Sequence, residues 1–129
     1  KRLLVPHWIG IAAIDVETET VKPLQTNGRF YINGMDGLYW QNGSLIGIQG
    51  LQYLNRVVRL RMDETSTVTA MDELYRDGET KCFPTTGTFK GNEFYFIANT
   101  FVRNVQPDRS VKDPDQVKPT EIKVVEIGR

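Results

Sequence analysis

Between residues 34 and 50 the chain reads GMDGLYWQNGSLIGIQG, two apolar runs on either side of Asn42-Gly43. Asn-Gly between alternating apolar residues is the strongest short-range signal for a two-residue β-hairpin, because both residues tolerate the positive φ that the turn demands. Residues 55–62, NRVVRLRM, then alternate between apolar and polar positions. DETS at 63–66 supplies a turn, and TVTA at 67–70 resumes the strand pattern. Period-two alternation broken by turn residues predicts four short antiparallel strands in succession.

The pattern recurs. Set without a gap over residues 85–100, TTGTFKGNEFYFIANT, the segment 35–50 brings Gly37 onto Gly87, Asn42 onto Asn92 and Gln49 onto Asn99. Gly91-Asn92 is a weaker turn signal than Asn42-Gly43, but it occupies the same place. Towards the N-terminus, IGIAAIDV at 9–16, ETET at 17–20 and VKPL at 21–24 repeat the strand–turn–strand arrangement. Towards the C-terminus, TEIKVVEI at 120–127 reads as a strand of a further copy. Helix is nearly absent: residues 71–76, MDELYR, predict a single turn that Asp77-Gly78 ends. Residues 101–119 are polar, carry Pro107, Pro114 and Pro119, and predict a long loop, either a solvated surface segment or a functional one.

Four antiparallel strands in a repeat of about fifty residues are the profile of a β-propeller blade. The expected fold is therefore all-β, a β-propeller with about two and a half four-stranded blades, their remnants at 1–26, 30–74 and 84–129. The competing architecture is a β-sandwich or barrel of about ten strands, which needs no such internal register. Repeat units bury their faces against neighbours. A chain that starts inside one blade and stops inside another is expected to need the rest of a parent chain, or self-association, to complete its ring.

Sixteen basic and sixteen acidic residues cancel without a block of like charge, so no electrostatic footprint marks a nucleic-acid or anionic-membrane partner. No apolar run approaches the roughly 18 residues of a membrane span. The 129 residues suit one domain, and the single cysteine, Cys82, forms no internal disulfide. With only Lys81 beside it, Cys82 reads as a small buried hydrophobe. There is no Gly-rich phosphate loop, no Ser nucleophile elbow and no paired Cys/His spacing. His7 stands alone, whereas catalytic and metal-binding histidines work with partners. Trp8, Tyr39 and Trp40 fit packing between strands better than ligand stacking. The compartment stays open.

The Met35-Asp36-Gly37 turn with its hairpin, followed by Asn55-Arg56-Val57-Val58-Arg59-Leu60, is similar to the gluconolactonase, regucalcin and luciferin-regenerating-enzyme family. GIAAID at 10–15 with VKPL at 21–24, and PTTG at 84–87 with FYFIAN at 94–99, fit its blade pattern. The resemblance implies a six-bladed ring with a divalent metal, Ca²⁺ or Zn²⁺, over the central channel, and hydrolysis of lactones or related esters. It implies that one Glu, two Asn and one Asp hold the metal, with Asp36 matching the aspartate as ligand and base. The Glu and both Asn would lie in earlier blades, outside this sequence, and Asn33 matches no ligand of the family.

Strand geometry adds its own expectation. Asp36 and Thr86 open inner strands, while Gln49, Asn99 and His7 close strands that return to the same face. With Asn33 and the 101–119 loop they would form a small-molecule site at the channel mouth. Asp36 has a second reading, since an acid before glycine commonly accepts local backbone hydrogen bonds in a tight turn. In that case the chain is a non-catalytic propeller that binds a ligand, sugar or protein at its mouth.

Overall fold

A computed structural model of the chain describes residues 1–51, 54–78 and 83–128. The expectations for Lys81 and Cys82 lie outside the described residues. Ten strands form three antiparallel sheets, each in simple chain order. The first holds β1 (Arg2–His7), β2 (Gly10–Asp15) and β3 (Thr20–Pro23). The middle sheet holds β4 (Gly37–Gln41), β5 (Ser44–Gln49), β6 (Arg56–Met62) and β7 (Val68–Arg76). The third holds β8 (Gly87–Lys90), β9 (Glu93–Ile97) and β10 (Ile122–Glu126). The fold is all-β, as the alternation predicts, but the strands group as three, four and three. No closed ring is seen among the described residues, and none of their helices is long and apolar enough to cross a membrane.

The middle sheet is buried on both faces, which explains why SLIGIQ and RVV read as nearly continuous apolar runs. Leu45, Val58 and Leu60 pack with Ile11, Leu24, Ile32 and Met35 on the side of the first sheet. Ile46, Ile48 and Val57 pack with Phe94, Phe96, Ala98 and Ile127 on the side of the third. Each such side chain taken out of water contributes roughly 1.5–3 kcal/mol. Gly47 has no room for more: a Cβ there would stand 2.5 Å from Met35 Sδ. Tyr39 belongs to the second cluster, edge-on to Phe89 and tilted against Phe94. Trp8 and Trp40 do not share the packing role expected of them, being 58% and 59% exposed.

The repeat is real in backbone terms, but its register is 49 residues and not the 50 of the gapless alignment. The two-residue turns join Gln41 to Ser44 and Lys90 to Glu93. Outside the turns, Asp36 N donates to the Ile48 carbonyl at 2.8 Å and Thr85 N donates to the Ile97 carbonyl at 3.3 Å. Thr85, not Thr86, is thus the counterpart of Asp36, and Gln49 answers to Ala98 instead of Asn99. One residue matters because strand side chains alternate faces, so a slip by one reverses them all. With the correct offset, Leu45 and Phe94 both face the preceding sheet, while Ile46 and Tyr95 both face away from it.

Residues 71–76 are not a helical turn but the second half of β7. Their acids pair across the sheet: Asp72 Oδ2 accepts from both Arg59 Nε and its terminal nitrogen, and Asp72 Oδ1 from Arg61. Cross-strand charge pairs of this kind support a ladder that local helix propensity would otherwise oppose. A register shift between Val57 and Val58 lets the strand run on to Arg76, two residues beyond the expected blade boundary at 74. The 101–119 stretch carries 3-10 turns at Val102–Asn104 and Pro114–Gln116 and a bridge between Val105 and Val111. Beyond the buried Phe101 it is almost wholly exposed.

Candidate functional site

The turns at 16–19, 42–43, 63–67 and 91–92 lie at one end of the sheets. All six residues singled out from the sequence lie towards the opposite end. His7 is the last residue of β1, Asp36 directly precedes β4, Gln49 ends β5, and Thr86 directly precedes β8. Asn33 sits in the linker before β4, and Asn99 follows β9 by two residues. Contacts stitch this end together from sheet to sheet. Gly34 N donates to the Trp8 carbonyl at 3.1 Å. Tyr39 Oη lies 3.0 Å from Thr86 Oγ1 and accepts from Gly87 N at 2.9 Å. Gly37 is required by close approach, since a Cβ there would meet the Thr85 carbonyl oxygen at 2.8 Å.

Gln49 is fully buried and its amide is wholly engaged. Nε2 donates to the carbonyls of Tyr31 at 2.9 Å and Asn33 at 2.7 Å, and Oε1 accepts from Arg56 Nε at 2.6 Å. Arg56, also buried, sends one terminal nitrogen to Glu73 at 3.2 Å and the other to the Tyr31 carbonyl at 3.4 Å. Arg76 closes the group by binding both carboxylate oxygens of Glu73. The bond from Arg76, seconded by Arg56 against the opposing effect of burial, holds the Glu73 carboxyl below its ordinary range. This network clamps the linker just ahead of Asp36. Sequence reasoning missed Arg56 and Glu73, although Gln49 and Arg56 are cross-strand partners whose alternation aims both polar groups at the first sheet.

Asn99 does similar work for a different segment. Its Oδ1 accepts from Glu121 N at 2.8 Å and its Nδ2 donates to the Pro119 carbonyl at 3.2 Å, pinning the end of the long loop beside β9. His7 and Asn33 come together in lining a cavity of about 290 Å³ that Phe30 and Ile32 make partly apolar.

Asp36 differs from Asp15, Asp63 and Asp108. Asp15 accepts from the backbone of Glu17 and Thr18, Asp63 from Thr65 and Thr67, and Asp108 from Ser110. Those bonds hold all three carboxyls below the ordinary aspartate range, through the Thr18 backbone first for Asp15 and the hydroxyls of Thr65 and Ser110 first for the others. The Asp36 side chain is exposed and makes no hydrogen bond or ion pair among the described residues. Only its backbone holds the turn.

For a divalent ion the fit is incomplete. Zinc takes about four donors and calcium six to eight oxygens. Among the described residues no three of His, Cys, Asp and Glu are grouped for such a role. Asp36 offers one carboxylate, and the nearby Gln49 amide is engaged. Neither a protein-family model nor a curated protein sequence matches the chain.

Proposed function

We propose that the three sheets are successive blades of a gluconolactonase-type β-propeller, six-bladed when complete, and that the end carrying Asp36 is the mouth of its channel. The chain contributes to a small-molecule site there, and the reaction is hydrolysis of a lactone or related ester. The carrying observation is the exposed Asp36 carboxylate, uncommitted among the described residues and standing at this end of the sheets, whereas Asp15, Asp63 and Asp108 are bound to backbone and hydroxyl groups. An exposed carboxylate on a strand end clamped from behind is free to accept a proton from an attacking water. The constant 49-residue register supports the blade reading, because equivalent faces of the middle and third sheets then point the same way round. The divalent ion that the family resemblance implies, Ca²⁺ or Zn²⁺, would need donors beyond those described in this chain.

A second reading is favoured by the cavity shared by His7 and Asn33. Its mixed lining of ring, amide and aliphatic groups suits a sugar-like ligand held without chemistry. The test is turnover of an aldonic-acid δ-lactone, with and without Ca²⁺ or Zn²⁺, by the chain and by Asp36→Asn. Loss of the base is expected to lower turnover by about 10²–10⁴-fold. Turnover that survives Asp36→Asn rejects the hydrolase reading, and binding of the lactone without turnover selects the second.

A further inference from the structure

Three asparagine–glycine steps occur in the chain: Asn27-Gly28, Asn33-Gly34 and Asn42-Gly43. Asparagine is thermolabile, and before glycine it reacts with its own backbone. The glycine nitrogen loses its proton to solvent base and attacks the asparagine Cγ, and the Cγ–Nδ2 bond breaks to release ammonia. The cyclic imide that forms then takes up one water. Opening between the nitrogen and Cγ gives aspartate. Opening at the other carbonyl gives isoaspartate, whose main chain runs through Cβ and Cγ. Glycine permits the attack because no side chain shields its nitrogen. In an unfolded chain the three steps are alike. In the folded chain they differ in what holds the attacking nitrogen and the peptide plane that must turn.

The Asn33-Gly34 peptide is tied on both sides. Gly34 N, the attacking atom, donates to the Trp8 carbonyl at 3.1 Å, and the Asn33 carbonyl accepts from Gln49 Nε2 at 2.7 Å. Gly34 is buried and Asn33 half-buried. The plane turns only after both bonds break. Asn27, Gly28, Asn42 and Gly43 are all exposed. In neither of these two steps does the glycine N–H, the asparagine carbonyl or the asparagine side chain make a hydrogen bond among the described residues. The nearest bonds stop at the flanks, from Asn27 N to the Val68 carbonyl at 3.0 Å and from Thr26 Oγ1 to the Gly28 carbonyl at 3.1 Å. Asn42 and Gly43 are the two turn residues between the paired Gln41 and Ser44, with open space where a Cβ of Gly43 would stand.

We infer that Asn27 and Asn42 are sites of spontaneous deamidation in the folded protein, and that the clamp on the linker protects Asn33 from the same reaction. The consequence differs from site to site. At Asn42, isoaspartate lengthens the main chain of a two-residue turn whose φ values, 48° and 78°, suit the twist of the flanking strands, so the hairpin loosens at its tip. At Asn33 the same change would put a new charge beside His7 in the cavity they share, and the fold prevents it. None of this depends on the chemistry proposed for Asp36.

Peptide mapping by mass spectrometry tests it, on the 129-residue chain incubated in mildly alkaline buffer, folded and in urea. In urea all three asparagines are expected to convert at comparable rates. In the folded chain Asn27 and Asn42 gain acid, and Asn33 lags both by about tenfold or more, because two hydrogen bonds must open first. Amide hydrogen exchange reads the same protection without waiting for the reaction: Gly34 N–H is expected to exchange more slowly than those of Gly28 and Gly43. Asn33 converting as fast as either exposed site in the folded chain overturns the inference. So does a folded chain inert at Asn27 and Asn42 while the chain in urea converts at both.

Discussion

Gln49→Leu is the most informative single change to the clamp. Leucine keeps the volume of the side chain and removes three hydrogen bonds, to Tyr31 O, Asn33 O and Arg56 Nε. Two groups lose their only bond in the network, the Asn33 carbonyl and the charged Arg56 Nε, while Tyr31 O keeps the longer 3.4 Å bond from Arg56. Each buried group left unsatisfied costs about 1–3 kcal/mol, with charged groups at the upper end. Better burial of the leucine offsets a part, so a net loss of about 3–4 kcal/mol is expected. That is a large share of the roughly 5–15 kcal/mol by which domains are stable. The assay is urea unfolding followed by circular dichroism at one fixed protein concentration. With a slope of about 1.5–2 kcal/mol per molar urea, the midpoint should fall by roughly 2 M. Gln41→Leu is the control, because Gln41 makes one 3.3 Å bond to the Gly91 carbonyl near the surface. It should cost less than about 1 kcal/mol. Equal losses in the two variants would refute the clamp.

Four further outcomes follow from the packing and the charges. Glu73→Gln should flatten the acid side of the stability curve: the folded carboxyl lies below its ordinary 4.5, so its stabilisation is complete above that pH and is lost as pH falls through the lowered value. Melting temperature against pH for both chains measures this, and parallel curves below pH 5 would contradict it. Gly50→Ala should destabilise by roughly 3 kcal/mol or more, because the new Cβ would stand 2.1 Å from the backbone oxygen of Pro84. Gly47→Ala should cost less, about 1–2 kcal/mol, since the atom it meets is the end of a movable Met35 side chain. Tyr39→Phe removes the bonds to Thr86 and Gly87 between sheets and should cost about 1–2 kcal/mol in the same unfolding assay.

The strands and hairpins were legible because alternation and turn residues act locally. The register was not, for a reason visible at the two turns. In the first, Asn42 takes the leading position at φ 48° and Gly43 follows at 78°; in the second, Gly91 leads at 61°. Matching Asn42 to Asn92 therefore aligned letters across different places in the turn and shifted every later pair by one. The 71–76 segment misled because its acids look like a helix surface until Arg56, Arg59 and Arg61 stand opposite them. Gln49 was found as a strand-end polar residue, but its burial depends on the linker folding over it, a contact made 16 to 18 residues away. For Asp36, position could be read from the Asp-Gly pair, whereas the freedom of its carboxylate required seeing the bonds made by Asp15, Asp63 and Asp108.

An NMR titration of the isotopically labelled chain with Ca²⁺, and separately with an aldonic-acid δ-lactone, addresses the Asp36 site most directly. The side-chain carboxyl carbon of Asp36 and the amides of Gly34, Gly37 and Thr86 should shift together, while the carboxyls of Asp15 and Asp63 stay in place. Asp36→Asn should abolish the response. An Asp36 signal that stays fixed while residues elsewhere respond would mean that this end of the sheets is not the binding site.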